Sequence, residues 1–184
     1  MNLDDAQRAF VGNLLRLAEE GNENRGALAD LRSGLGRQPG AMARVHRYVV
    51  PYLPDQKWDD RWYYATATLF GLFPRHRRDY SVGKAFGSLR PKSDSMETRF
   101  IALLNAHPDD LADHLRHVMS LLKSSEQPID YFQLLGDLLQ WEHPEGHVQL
   151  NWARDFYAGG AQEPHRPGNS ESETDAANEE ENDE

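Results

Sequence analysis

Residues 129–157 read IDYFQLLGDLLQWEHPEGHVQLNWARDFY, and residues 25–36 read RGALADLRSGLG. In the first stretch Asp130 is placed to cap a helix whose apolar face is Leu134, Leu135, Leu138 and Trp141. A second helix begins near Glu145 and ends at about Tyr157. This tryptophan-rich pair carries almost no positive charge, so its business is packing. The other stretch sets Arg25, Arg32 and Arg37 around a short seam of Leu28, Leu31 and Leu35. It is built to meet anions.

Working outward, nearly every segment has helical periodicity. Asp4 or Asp5 caps a helix through Glu20, with Ala6, Phe10, Leu14, Leu17 and Ala18 inward and Gly21 as its stop. Asn24 caps the next, which ends near Gly34 to Gly36. Pro39 opens a third that runs to Val50, and Pro51 and Pro54 break it. Residues 58–73, with Trp58, Trp62, Ala65, Leu69 and Phe70, predict a thick apolar helix closed by Pro74 and the RHRR run. Ser81 caps a short helix of Val82, Ala85, Phe86 and Leu89, and another spans about Ser95 to Asn105. Pro108 opens the one bearing Leu111, Leu115, Val118 and Leu122. Tyr48 to Tyr52 is the sole strand-like run, and it sits in a helical register before a proline. The expected fold is all-α: two small helical bundles packed together, about nine helices, with a disordered acidic C-terminal tail. The boundaries fall at 1–92, 93–160 and 161–184, the break lying at Arg90 to Asp94.

The chain has 184 residues, a net charge of −10 and no cysteine. That composition excludes disulfides, thiolate metal sites and cysteine nucleophiles, and it fits a reducing cytoplasm. Neither a signal peptide nor a bilayer-length apolar run is visible. Residues 161–184 hold nine acids and one arginine, so the remaining body is nearly neutral. Its charges are segregated. Arg25 to Arg47 contains five arginines against Asp30, and Arg75 to Arg99 contains seven cations against Asp79, Asp94 and Glu97. Segregated cations make an electrostatic footprint even when the total is acidic.

Each cluster has two readings. Guanidinium groups on one helix face grip successive phosphates through forked hydrogen bonds, or they simply solvate a surface. Arg99 precedes Phe100 on an amphipathic helix, and Arg116 lies between Leu115 and Val118, so both stems can be held while the heads stay outside. Arg116 could equally pair with Asp113 or Asp109. Asp110, His114 and His117 recur at helical spacing but match no strong metal signature. His143 and His147 are separated by Pro144 and Gly146, which argues against a shared helix face. No HExxH, GK[ST] loop or GxSxG occurs, so neither a catalytic centre nor a cofactor is expected. Trp141, Trp152, Phe156 and Tyr157 read as core or subunit contact before base-stacking platform.

In this order and separation, the arginine helix, the SVGKAF and METRF elements and the tryptophan-rich pair resemble the CasB family, the small subunit of the type I-E CRISPR Cascade complex. The resemblance runs from about Arg25 to Tyr157. It implies a non-catalytic subunit, with basic residues facing nucleic acid at positions matching Arg32, Lys84, Arg99 and Arg116, and Arg25 in support. It further implies other Cascade subunits, CRISPR guide RNA, the target and displaced DNA strands and a second copy of the chain as partners, with no membrane. The function expected is stabilisation of guide–target pairing and the displaced strand, the R-loop, through sequence-independent backbone contacts. A rival from another class is a helical protein–protein adaptor whose acidic tail binds a basic partner, and a weaker one is a metal-dependent helical hydrolase. The acidic tail has no counterpart in the family pattern.

Overall fold

Ten successive residues, Trp62 to Gly71, are buried on every side of one helix. A helix that is apolar all round has to be wrapped, and the rest of the chain wraps it. In this computed structural model, which describes residues 3–19, 24–55, 59–90 and 95–158, the α-helices in chain order are α1 (Asp5–Arg16), α2 (Arg25–Arg32), α3 (His46–Val49), α4 (Asp60–Leu72), α5 (Val82–Gly87), α6 (Ser95–Leu104), α7 (Leu111–Ser124), α8 (Tyr131–Leu139) and α9 (His147–Ala158). The buried helix is α4. It packs on α2, α3, α7 and α8. The fold is all-α. The one β contact among the described residues is an isolated bridge between His76 and Ile129.

The caps sit where the sequence places them. Asp4 accepts from the Gln7 amide at 2.8 Å while the Gln7 side chain accepts from the Asp4 amide, a full capping box. Asn24 Oδ1 accepts from the Ala27 amide at 2.9 Å, and Ser81 Oγ from the Lys84 amide at 3.0 Å. Asp130 accepts from the Phe132 and Gln133 amides at 2.9 and 3.2 Å. Helix ends are shorter than expected: α1 stops at Arg16, α7 begins at Leu111 rather than Pro108, and α9 begins at His147.

The single helix expected from Pro39 to Val50 is instead a 3₁₀ turn (Pro39–Ala41), the short α3 and a second 3₁₀ turn (Val50–Tyr52). Gly40 is a poor helix former, and at Met42 the backbone leaves the helical region (φ −102°, ψ 49°). His46 Nδ1 lies 2.7 Å from the Tyr64 hydroxyl, so α4 fixes where this segment runs. Trp58, Gly21, the 91–94 part of the expected boundary and the 161–184 tail lie outside the described residues.

The buried apolar side chains form one continuous cluster from Leu3 to Phe156. Its far end is held by α5 lying directly on α9. A Cβ added at Gly87 would sit 2.6 Å from the Phe156 carbonyl oxygen, and one at Gly83 would sit 2.9 Å from the Trp152 Cα. Two glycines four apart therefore face the backbone of Trp152 and Phe156, also four apart. The approach lets Phe156 stack on Phe100 of α6 at 3.9 Å between ring centroids, with Phe86 at 6.0 Å. Replacing Gly87 with Val should lower unfolding free energy by roughly 1–3 kcal/mol through overpacking. Gly12→Ala is the control, since nothing lies within 4 Å of a Cβ there. Urea unfolding of the two variants should separate them clearly.

Trp152 is fully buried and its indole N–H donates to Asp137 Oδ2 at 2.6 Å. Burial pushes the Asp137 carboxyl up to about 6, and the indole hydrogen bond opposes that rise only partly. An acid whose folded pKa is raised binds its proton more tightly in the folded state. Stability from this group is therefore fully present below the unfolded value and is lost as pH rises towards 6. Asp137→Asn keeps an acceptor for the indole and removes the charge. It should flatten the fall in stability between about pH 4 and 6 and gain up to about 3 kcal/mol at pH 8. Urea midpoints across that pH range measure it; an unchanged slope would remove Asp137 as the cause.

Candidate nucleic-acid interface

Helix α2 turns Ala27 and Leu31 into the core and leaves Arg25 and Arg32 exposed. A Cβ added at Gly71 of α4 would meet Leu31 Cβ at 2.6 Å and the Arg32 amide nitrogen at 2.7 Å, so the two helices touch backbone to backbone. That closeness lets Arg32 Nε donate to the Gly71 carbonyl at 3.0 Å. The guanidinium is thereby aimed from its base, with its two terminal nitrogens left outward. Arg44 and Arg47 behave differently. Both turn to Asp30, Arg44 at 3.8 Å and Arg47 in direct contact, and the Tyr48 hydroxyl joins them at 3.4 Å. The first arginine cluster is thus split between an outward pair and a locally neutralised pair.

In the second cluster, arginines lie over aromatic rings: Arg77 over Tyr80 at 4.5 Å, Arg78 over Phe132 at 5.3 Å and Arg90 over Phe156 and Tyr157 at 5.3 and 5.2 Å. Such stacking fixes a long side chain without consuming its charge. Lys84 is exposed on α5, and its Nζ donates to the Asp79 carbonyl at 3.2 Å. Arg99 on α6 is exposed and has no polar partner among the described residues. Arg116 on α7 lies 3.4 Å from Asp113.

A cleft of about 350 Å³ lies between α4, the turn that follows α2, and α7 with the residues just before it. The Gly34 to Gly36 turn and Arg37 form one wall, Trp62 and Thr68 the floor, and Asp109, Asp113 and Arg116 the other wall. Arg61 lines it too, its guanidinium over the Trp62 ring at 4.5 Å, with one Nη 3.3 Å from Asp109 and the other in contact with Glu142. The Nε of Arg61 is shielded from solvent and lacks a hydrogen-bond acceptor among the described residues, while the Nε of Arg116 faces Asp113 at 3.4 Å without a well-aligned hydrogen bond. A buried donor without an acceptor costs about 1–3 kcal/mol. An anionic oxygen entering the cleft would relieve that cost.

Of the five basic positions singled out in the sequence, Arg116 alone lines this cleft. Arg32 sits two residues before its glycine wall. Lys84 and Arg99 line it no more than Arg25 does. Asp79, which holds Lys84, belongs to a second hollow of about 660 Å³ where Arg8 and Arg78 meet Asp79, Asp130 and Asp137. In its wall Asp130 is buried, and burial holds His76 beside it below the usual histidine range. The His76 Nδ1 accepts from the Tyr131 amide at 3.2 Å, the neutral form. Arg61 was missed because its helix reads as wholly apolar; the Asp60-Arg61-Trp62 triplet was the available signal.

Trp141, Trp152 and Phe156 are buried, while Tyr157 is exposed and donates to Glu97 at 2.8 Å. Among the described residues, Asp110, His114 and His117 do not gather into a ligand cluster. His143 and His147 share no helix face, since α9 begins at His147, yet the turn between α8 and α9 brings their rings together. The Gly146 amide donates to the His143 carbonyl at 2.9 Å, and Gly146 takes φ 59°, so the turn folds one ring onto the other.

Residues 27–157 match the family model for CRISPR-associated protein Cse2. Cse2 from Thermus thermophilus is 38% identical over 141 residues, covering 74% of this chain and 82% of its own. A crystal structure of a Cse2-family protein from the same organism superposes with a TM-score of 0.73 at 35% identity, over 85% of this chain and 99% of that one. A chain of a CRISPR RNA-guided surveillance complex superposes at 0.71 with 27% identity, over 84% and 93%. The chain belongs to the Cse2 family of CRISPR-associated proteins, also called CasB.

Proposed function

We propose that this chain is the small helical subunit of a Cascade surveillance complex, where it grips nucleic-acid backbone without catalysing a reaction. The observation that carries the reading is the likeness, over nearly the whole length of both, to a chain of an RNA-guided surveillance complex. Arg32, Lys84, Arg99 and Arg116 supply phosphate contacts, with Arg25 in support, and the Arg37–Arg61–Arg116 cleft adds a pocket for one anionic oxygen. In this reading the chain keeps its two-bundle division at residues 92 and 93, with α5 of the first packed along α9 of the second.

The physical role follows from the energetics of strand exchange. Replacing a DNA duplex with an RNA–DNA hybrid is nearly balanced, so a few kcal/mol of backbone contact decides whether the opened state persists. Sequence is read by the guide. Guanidinium and ammonium groups that touch only phosphates contribute equally at every target. The partners are the other Cascade subunits, guide RNA, target and displaced strands, and a second copy of the chain. Among the described residues no helix is long and apolar enough to cross a membrane.

Co-purification with the other Cascade proteins and guide RNA tests the assembly; failure to assemble would remove the reading. Within the assembled complex, glutamine in place of Arg32, Lys84, Arg99 or Arg116 should weaken target retention equally across target sequences. Each lost phosphate contact should reduce the slope of log affinity against log salt by about 0.7–0.9. Loss confined to particular targets would instead mean base readout.

Deleting residues 161–184 removes nine acids and one arginine. It should tighten nucleic-acid binding at low salt, with the advantage vanishing as salt rises. Filter binding across a salt series measures both. An adaptor would show no salt-dependent affinity for DNA or RNA in either form.

A further inference from the structure

The turn between α8 and α9 carries a cluster that the backbone-binding role does not use. His143, Glu145 and His147 each offer a ligand atom, and the three atoms lie within 4.8 Å of one another. The two imidazole rings are 4.6 Å apart between centroids at 67°, edge to face. Glu145 is exposed and contributes a carboxylate on the same side. We propose that His143, Glu145 and His147 form a site for a first-row transition dication of the zinc class, completed by water.

The donor set sets the metal class. Two imidazole nitrogens and one carboxylate oxygen suit zinc, copper or nickel, whereas magnesium and calcium call for oxygen ligands. Zinc bonds to nitrogen and oxygen are about 2.0–2.2 Å, which brings tetrahedral ligands to about 3.3 Å from one another. The side chains must therefore close by up to about 1.5 Å, within reach of χ rotation at a surface turn. The contact from the Glu145 amide to His143 Nδ1 is long, 3.3 Å, so it engages the ring nitrogen only weakly. No side-chain hydrogen bond or ion pair holds the His147 ring among the described residues, its ring contact being with His143.

The scaffold under the cluster is rigid. Trp141 on one side and Val148 on the other are buried, and the Gln149 side chain donates to the Trp141 carbonyl at 2.8 Å. The spacing is thus fixed by a folded turn, not by chance meeting of mobile chains. Bound metal would tie the end of α8 to the start of α9, one residue beyond Glu142, the partner of Arg61.

The test uses the full-length, tag-free protein stripped with chelator. Cobalt is titrated by its visible absorption, and zinc is then measured by competition and by calorimetry. One equivalent should bind with micromolar affinity. His143→Ala and His147→Ala should each weaken binding at least tenfold, and Glu145→Gln several-fold. A His114→Ala, His117→Ala double variant should bind as the unaltered chain does. Circular dichroism confirms that each variant folds. Independently, cobalt added to the unaltered protein should broaden histidine NMR signals of His143 and His147 and spare His114 and His117. No saturable binding below about 1 mM, affinity indifferent to either turn histidine, or broadening centred elsewhere would each overturn the site. None of these outcomes depends on nucleic-acid binding.

Discussion

Helix α4 has no face to give to water, and the architecture follows from that constraint. Trp62, Tyr63, Leu69 and Phe70 are each no more than 3% exposed, and Thr66 is buried alongside them with no partner for its hydroxyl among the described residues. Thr68 returns its hydroxyl to the Tyr64 and Ala65 carbonyls at 2.9 and 3.0 Å. Burying each large apolar side chain contributes about 1.5–3 kcal/mol, so a helix enclosed on all sides is a strong organiser. The amphipathic helices α1, α2, α7 and α8 supply the matching stripes. Small residues set how near they come, and Gly71 brings α2 near enough for Arg32 to bond to α4 itself.

The same economy shapes the basic surface. A core this tightly wrapped leaves little interior for charge, so the cations sit on the outside of the helices and turns, and several are steadied by a neighbour. Arg32 is held by a backbone carbonyl, Lys84 by the Asp79 carbonyl, Arg90 by aromatic rings, and Arg61 by two carboxylates and a tryptophan. Pre-positioned cations lose less side-chain entropy on meeting phosphate than mobile ones would. This suits the proposed role of tipping a balanced exchange. The arrangement also explains the motif SVGKAF in physical terms. Gly83 lets α5 reach α9, and the next residue, Lys84, must then face away from that contact towards solvent.

The cleft between α4, α7 and the turn after α2 is joined to the histidine turn by the ion pair of Arg61 and Glu142. Arg61 bridges the start of α4 to Asp109, just before α7, and to the α8–α9 turn, which are remote in sequence. Its partners are both well exposed, which makes each ion pair modest in energy. Its value is geometric. It fixes the cleft wall and the turn relative to each other, so an event at one is mechanically close to the other.

The chain's own order of residues determined that it is all-α and where most helices begin. Those are local matters: capping side chains reach two or three residues, and apolar periodicity repeats within one element. Family membership was legible for a similar reason, since it rests on ordered local elements. Site geometry was not. The expected list of Arg25, Arg32, Lys84, Arg99 and Arg116 came from the family resemblance and the segregation of charge, and of these Arg116 alone lines the cleft. Arg61 and Arg37 joined Arg116 only because three helices converged there. His143 and His147 met because Gly146 adopts a left-handed backbone, which spacing arguments for a continuous helix do not contain. Helix starts are written in neighbouring residues; clefts and clusters are written in the closeness of helices, and that is decided by packing across the whole chain.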